Sequence, residues 1–253
     1  MRRIQIIGLW GHLVLVLLFT GRTALAQNEP LIYPGHDQFN ADRFIPFTAE
    51  YSQMGFPFTI AFEKAQWNES LVYNALMIME GPNGIGVDQV AHFAEDFRFA
   101  FRNFGFGAFG REHIVIENQE DVLHMSRMPL EGDSARTMTY LRKELERPVF
   151  DGTLVYWFLA GLPLEKGYEV RMNQWLPEET GITVRPSAAF TVSNREKITT
   201  EAGEVFECWV VEAESGPVKY VNYVAQRAPY LIKQVAIQDQ QDPIVLLELK
   251  RLH

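Results

Sequence analysis

Apolar and polar residues alternate along most of this chain, and that alternation constrains its fold more than any other feature. Phe58, Ile60 and Phe62 alternate with Thr59, Ala61 and Glu63, and Tyr168, Val170 and Met172 with Glu169, Arg171 and Asn173. Near the end, Val245, Leu247 and Leu249 alternate with Glu248 and Lys250. A period of two puts successive side chains on opposite faces, so these runs read as half-buried β-strands.

The punctuation between runs agrees. Leu71 to Met79 ends at Gly81-Pro82-Asn83-Gly84, a strong turn signal, and the glycine-rich Gly81 to Gly86 reads as turn. Glu112 to Glu117 and Asp121 to Met128 flank Asn118-Gln119-Glu120 as a hairpin. Phe190 to Thr199 and Glu204 to Glu212 join through Glu201-Ala202-Gly203. Val218 to Ala225 follows Ser215-Gly216-Pro217, and Tyr230 to Gln238 follows Ala228-Pro229.

One short helix is expected, capped by Asp151, with Leu154, Val155, Phe158 and Leu159 on one face and Gly161 as its end. A second helical turn or two is expected within Ala135 to Glu146. About ten strands at hairpin spacing leave no room for helical crossovers, which excludes a parallel sheet. The expected class is all-β with minor α: a curved antiparallel sheet, an open barrel or a β-roll.

The first 26 residues read as a cleaved secretory signal. Met1, Arg2 and Arg3 open it, Ile4 to Phe19 is largely apolar, and Ala24-Leu25-Ala26 supplies the small-x-small cleavage site. Gln27 follows where a lipid-anchored product would need cysteine, so a periplasmic or secreted protein without an acyl anchor is expected. No later segment is long and apolar enough to span a bilayer. The expected organisation is signal 1–26, irregular lead-in 27–43, and one antiparallel β domain 44–253.

The signal holds three arginines and no acid, so removing it takes the net charge from −9 to −12. That sign excludes a binder of nucleic-acid backbone, whose affinity comes from lysine and arginine. Cys208, the sole cysteine, lies among Val205, Phe206, Trp209 and Val210 and reads as a small buried hydrophobe.

No nucleophile elbow, His-Glu-x-x-His or phosphate-binding loop is present, and neither catalytic residues nor a cofactor are expected. His113 and His124 could meet across the Asn118 hairpin near Met125 and Met128. However, methionine in strands is mostly core filling, and no metal site is expected.

Phe150 to Arg251 resembles an exported bacterial domain-of-unknown-function family, number 3108. The resemblance rests on Phe150-Asp151, then Leu162-Pro163-Leu164-Glu165-Lys166-Gly167, then the run from Glu196 to Glu207. Val210-Val211-Glu212 and Ala228-Pro229-Tyr230-Leu231-Ile232-Lys233 complete it. Its centre is a strand, a threonine-x-alanine-glycine turn and a second strand. The resemblance implies an exported all-β domain, and it brings no catalytic residues.

Function points to the run from Phe97 to Phe109, which holds six phenylalanines in thirteen residues: Phe97, Phe99, Phe101, Phe104, Phe106 and Phe109. Phe97, Phe99 and Phe101 are expected on one aromatic face, with Arg98, Ala100 and Arg102 on a solvated one. The aromatic face reads either as a pocket for a hydrophobic small molecule such as a lipid or as a barrel core. A periplasmic carrier module is therefore expected. The alternative is a non-catalytic structural or assembly factor that contacts an envelope protein, and an enzyme is the third reading.

Overall fold

The computed structural model describes residues 30–81, 84–105, 112–129, 138–178, 181–215, 217–238 and 241–253. The expected signal, Phe106 and Phe109 lie outside them. A two-residue strand, β1 (Leu31–Ile32), and a 3-10 turn at Ala41–Arg43 come first. They give the expected lead-in regular structure, and Ile32, Phe39 and Phe44 are buried in the core.

An antiparallel meander follows: β2 (Phe47–Gln53), β3 (Phe56–Trp67), β4 (Ser70–Gly81), β5 (Gly84–Phe93), β6 (Phe99–Gly105), β7 (Glu112–Gln119), β8 (Val122–Pro129) and β9 (Thr139–Glu144). After it come β10 (Phe150–Asp151), helix α1 (Val155–Phe158) and a 3-10 turn at Leu159–Gly161. The second half contains β11 (Glu169–Glu178), β12 (Gly181–Pro186), β13 (Phe190–Thr199), β14 (Val205–Ser215), β15 (Val218–Ala225), β16 (Leu231–Gln238) and β17 (Ile244–Leu252).

The last strand closes the architecture, because β17 pairs antiparallel with β2 and joins the two halves into one 17-stranded sheet. Two short parallel pairings depart from the antiparallel pattern, β1 and β10 each beside β11. Trp175 pairs with Asp151 of β10 on one edge and Val184 of β12 on the other. The sheet is large, curved and not closed into a barrel; β9 comes close to β12 without pairing to it among the described residues.

Inward-facing positions follow the alternation: Phe58, Ile60 and Phe62 on β3, Tyr73, Ala75, Met77 and Met79 on β4, and Phe206 and Cys208 on β14. Inside the curve lies the segment from Phe150 to Leu164, whose Leu154, Val155, Trp157, Phe158, Leu159 and Leu162 are all buried in the same cluster. Two-residue turns with positive φ connect the meander: Asn68 and Glu69 between β3 and β4, and Glu120 and Asp121 between β7 and β8. Left-handed backbone at both central positions matches the twist of antiparallel strands.

Four expectations are corrected. Thr139 to Glu144 is not helical but the strand β9, paired to β8, and its exposed outer positions hide any alternation. Asp151 does not cap α1; Leu154 occupies that position, and the Asp151 side chain serves a turn and an ion pair instead. Gly84 to Gly86 belongs to β5, with Gly81 and Gly84 as cross-strand partners at the end of the hairpin. Val245 is 39% exposed rather than inward, because the pairing of β16 with β17 slips by a residue between Gln234 and Val235.

Candidate functional site

The phenylalanine run does not form a single face. Between Ala91 and His92 the register with β6 shifts: Phe101 pairs with Ala91 and Phe99 with His92, leaving Ala100 as a bulge. One inserted residue reverses the phase of everything beyond it. Phe99, Arg102 and Phe104 therefore point into the core, while Phe101 packs on the outer face. The expected solvated pair Ala100 and Arg102 is buried, at 0% and 4% exposure.

Phe97, fully buried, is the hub of an aromatic cluster. Its ring lies 4.7 Å from Phe44, 5.0 Å from Tyr73, 5.3 Å from Phe158 and 5.4 Å from Phe39. Phe99 lies 4.8 Å from Trp175. The interior here is filled: the cavity bordered by Phe44, Phe62, Phe158 and Tyr230 measures about 10 Å³, room for about one water. Phe101 stacks instead on Trp67 at 5.1 Å, over the small residues Ala65, Ala91 and Ala100.

The histidines do not converge. His113 is the cross-strand partner of Met128 and its Nε2 lies 2.7 Å from Asn103 Oδ1; His124 is the partner of Glu117. Among the described residues, no three His, Cys, Asp or Glu side chains cluster as metal ligands would.

Turning Arg102 inward builds a charged cluster inside the core. Its Nε and Nη2 donate to the two carboxylate oxygens of Asp88 on β5 at 2.9 and 2.6 Å, and its Nη1 to Asp151 Oδ2 at 3.3 Å. Asp151 Oδ1 accepts from the Thr153 amide at 2.8 Å and from the Thr153 hydroxyl. The Asp151 amide donates to His92 Nε2 at 3.3 Å, while His92 Nδ1 and Trp175 Nε1 are buried without a hydrogen-bond partner among the described residues.

Burial raises Asp88 from its ordinary 3.8 to about 6, against the pull of Arg102 and with a further push from Asp151. Burial also lowers His92 from 6.5 to about 4, with Asp151 opposing. The cluster holds the inner segment against the sheet wall.

A concavity large enough for a ligand or a peptide lies on the surface. A groove of about 600 Å³ runs beside Glu50 and Ser52 of β2, Pro57 and Thr59 of β3, Lys250 and Arg251 of β17, and the hairpin tip at Glu201 and Ala202. It falls within the roughly 300–1,000 Å³ of ordinary binding clefts. The tip is built by Thr200, whose amide donates to Glu204 O at 2.8 Å and whose Oγ1 accepts from the Glu204 amide at 3.1 Å. Gly203 adopts φ +85°, which a residue with Cβ rarely takes.

Glu201 then reaches Lys250 Nζ at 3.0 Å, and Lys250 also meets Glu248 at 3.1 Å, so the tip is tied to the last strand. Other parts of the sequence pattern also act as joints. Gly167 N donates to Val192 O at 2.8 Å. The Tyr230 hydroxyl donates to Arg43 O at 2.9 Å and accepts from the Ile45 amide at 2.7 Å.

Phenylalanine content in the sequence pointed to Phe97 and Phe99, which are core. The groove carried no such signal, because its lining comes from β2, β3, β17 and a distant hairpin. The threonine-x-alanine-glycine turn was the one visible mark near it.

The family model described as protein of unknown function (DUF3108) matches residues 98–238, more than half of the chain, and the chain belongs to that family. The match takes in Arg102, Asp151 and the Glu201 hairpin. Neither the comparison with curated proteins nor that with solved structures gave a match.

Proposed function

We propose that this family member is an exported, non-catalytic assembly or adaptor module of the cell envelope that works through its outer surface. The groove between the Glu201-Ala202 tip and β2, β3 and β17 is the contact site. The observation that carries the reading is where space occurs: about 10 Å³ in the core beside Phe44 and Phe158 and about 600 Å³ in the groove.

A carrier of acyl chains needs an interior volume comparable to its ligand, of the order of hundreds of Å³. Phe97 and Phe99, at 0% exposure, instead lie where that volume would be. The groove mixes charge with apolar surface, and its chemistry suits a polypeptide segment better than a lipid tail. Export is supported by the basic, apolar, small-x-small order of residues 1–26. Among the described residues no helix is long and apolar enough to cross a membrane.

Site-specific photo-crosslinking tests the proposal. A photoreactive residue at Ala202, in the groove, should give a discrete protein adduct in cells. The same residue at Tyr140, exposed on β9, should not. Equal labelling at both positions, or a co-purifying lipid in native mass spectra, would overturn the reading in favour of non-specific contact or a carrier.

A further inference from the structure

Two carboxylates share one guanidinium where water does not reach. The side chains of Arg102 and Asp88 are each 4% exposed, and that of Asp151 is 0% exposed. Among the described residues, the groups facing the cluster come from four strands: Asp88 and His92 from β5, Arg102 from β6, Asp151 from β10, and the uncharged Trp175 from β11. The Phe104 ring lies 4.8 Å from the guanidinium carbon and the Trp175 ring 5.8 Å from it.

His92 does not supply a second cation. Its Nε2 accepts from the Asp151 amide, which leaves its one proton on Nδ1. With both carboxylates ionised the cluster would hold one net negative charge in an apolar core. Carboxylates forced to share a site resolve this by one of them keeping a proton.

We propose that the Asp88–Arg102–Asp151 cluster is a buried proton-binding site, with the proton on Asp88, that couples the stability of the fold to pH. Asp151 Oδ1 accepts both the Thr153 amide and the Thr153 hydroxyl while its Oδ2 accepts from Arg102, so each of its oxygens already holds a donor. Both oxygens of Asp88 accept from Arg102, Oδ1 from Nε and Oδ2 from Nη2; when one takes the proton it gives up its bond and the other still accepts. The rise of Asp88 to about 6, caused first by burial, agrees with this assignment.

The folded value lies above the unfolded one. Stability from this group is therefore complete below about pH 4 and lost as the pH rises through about 6. In an exported protein that pH would follow the surroundings of the cell.

Carboxyl carbon NMR of the full chain, labelled with ¹³C-aspartate and titrated from about pH 4 to 8, reads the site directly. One aspartate should titrate near 6, and that transition should be missing in D88N. In D151N, Asp88 faces Arg102 alone and its midpoint should fall by about one unit or more. The proposal is overturned if every aspartate of the wild type titrates below about 5, if the transition survives D88N, or if D151N leaves its midpoint in place. The wild-type titration alone decides the first point should either variant fail to fold.

Discussion

A Cβ on Gly161 would lie 2.6 Å from Cε2 of Phe39, so the inner segment and the lead-in meet at a point where only glycine fits. Phe39 cannot retreat, because its ring is held at 5.0 Å from Phe150 and 5.4 Å from Phe97. G161A should destabilise the protein by about 1–3 kcal/mol through overpacking. G152A should do at least as much, since its Cβ would meet the Trp175 carbonyl at 2.8 Å and backbone cannot turn aside. Urea midpoints of the two variants check the ranking.

Arg102 cannot be removed cheaply. R102M leaves Asp88 and Asp151 buried without a cation, a change that costs about 3–5 kcal/mol. R102K should lie in between, because an ammonium keeps the charge but not the two parallel bonds to Asp88. A urea midpoint for R102M close to wild type would show that the cluster contributes nothing to the fold.

These two sites differ in how they could be seen from sequence. Strands with one buried face, such as Phe58 to Glu63, announce themselves by alternation. The bulge at Ala100 is silent, since a single inserted residue leaves composition untouched while exchanging the faces of Phe101 and Arg102. β9 looked helical because Arg142, Lys143 and Glu144 are good helix formers and its flanks are exposed. The buried cluster joins residues 14 and 49 positions apart, a closeness that depends on tertiary folding. The groove was invisible for the same reason.

Cys208 should be chemically quiet in the native protein. Burial pushes its thiol up to about 12, leaving almost no thiolate at neutral pH, and the side chain is 0% exposed. A thiol reagent should label it at least about a thousandfold more slowly than free cysteine, at a rate set by unfolding. Rapid labelling without denaturant would contradict this burial.

Glu201 and Lys250 separate the stability of the hairpin tip from its use. Their bond is largely exposed on the Glu201 side, at 72%, so E201A should cost about 0–1 kcal/mol, and less in high salt. If the groove is the contact site, the same variant should weaken photo-crosslinking from Ala202 several-fold while leaving thermal unfolding almost unchanged. Loss of folding together with loss of the adduct would instead make the bond structural.

His92 sets the acid side of the stability profile. Its value falls from 6.5 to about 4 on folding, chiefly by burial, so the unfolded chain takes up a proton that the folded chain refuses. A depressed value stabilises the fold above the unfolded value, and that contribution is lost as the pH falls from about 6.5 through about 4. Asp88 acts with the opposite sign over much of the same range, gaining stability as the pH falls.

The two slopes should partly cancel in the wild type, and removing one should expose the other. H92Q, which keeps an acceptor for the Asp151 amide, should become more stable relative to its own neutral value as the pH drops from about 6 to about 4. D88N should show the reverse, a steeper acid loss than wild type. Urea unfolding at a series of pH values measures both slopes, and parallel profiles for all three proteins would mean that neither group titrates inside the fold as its surroundings dictate.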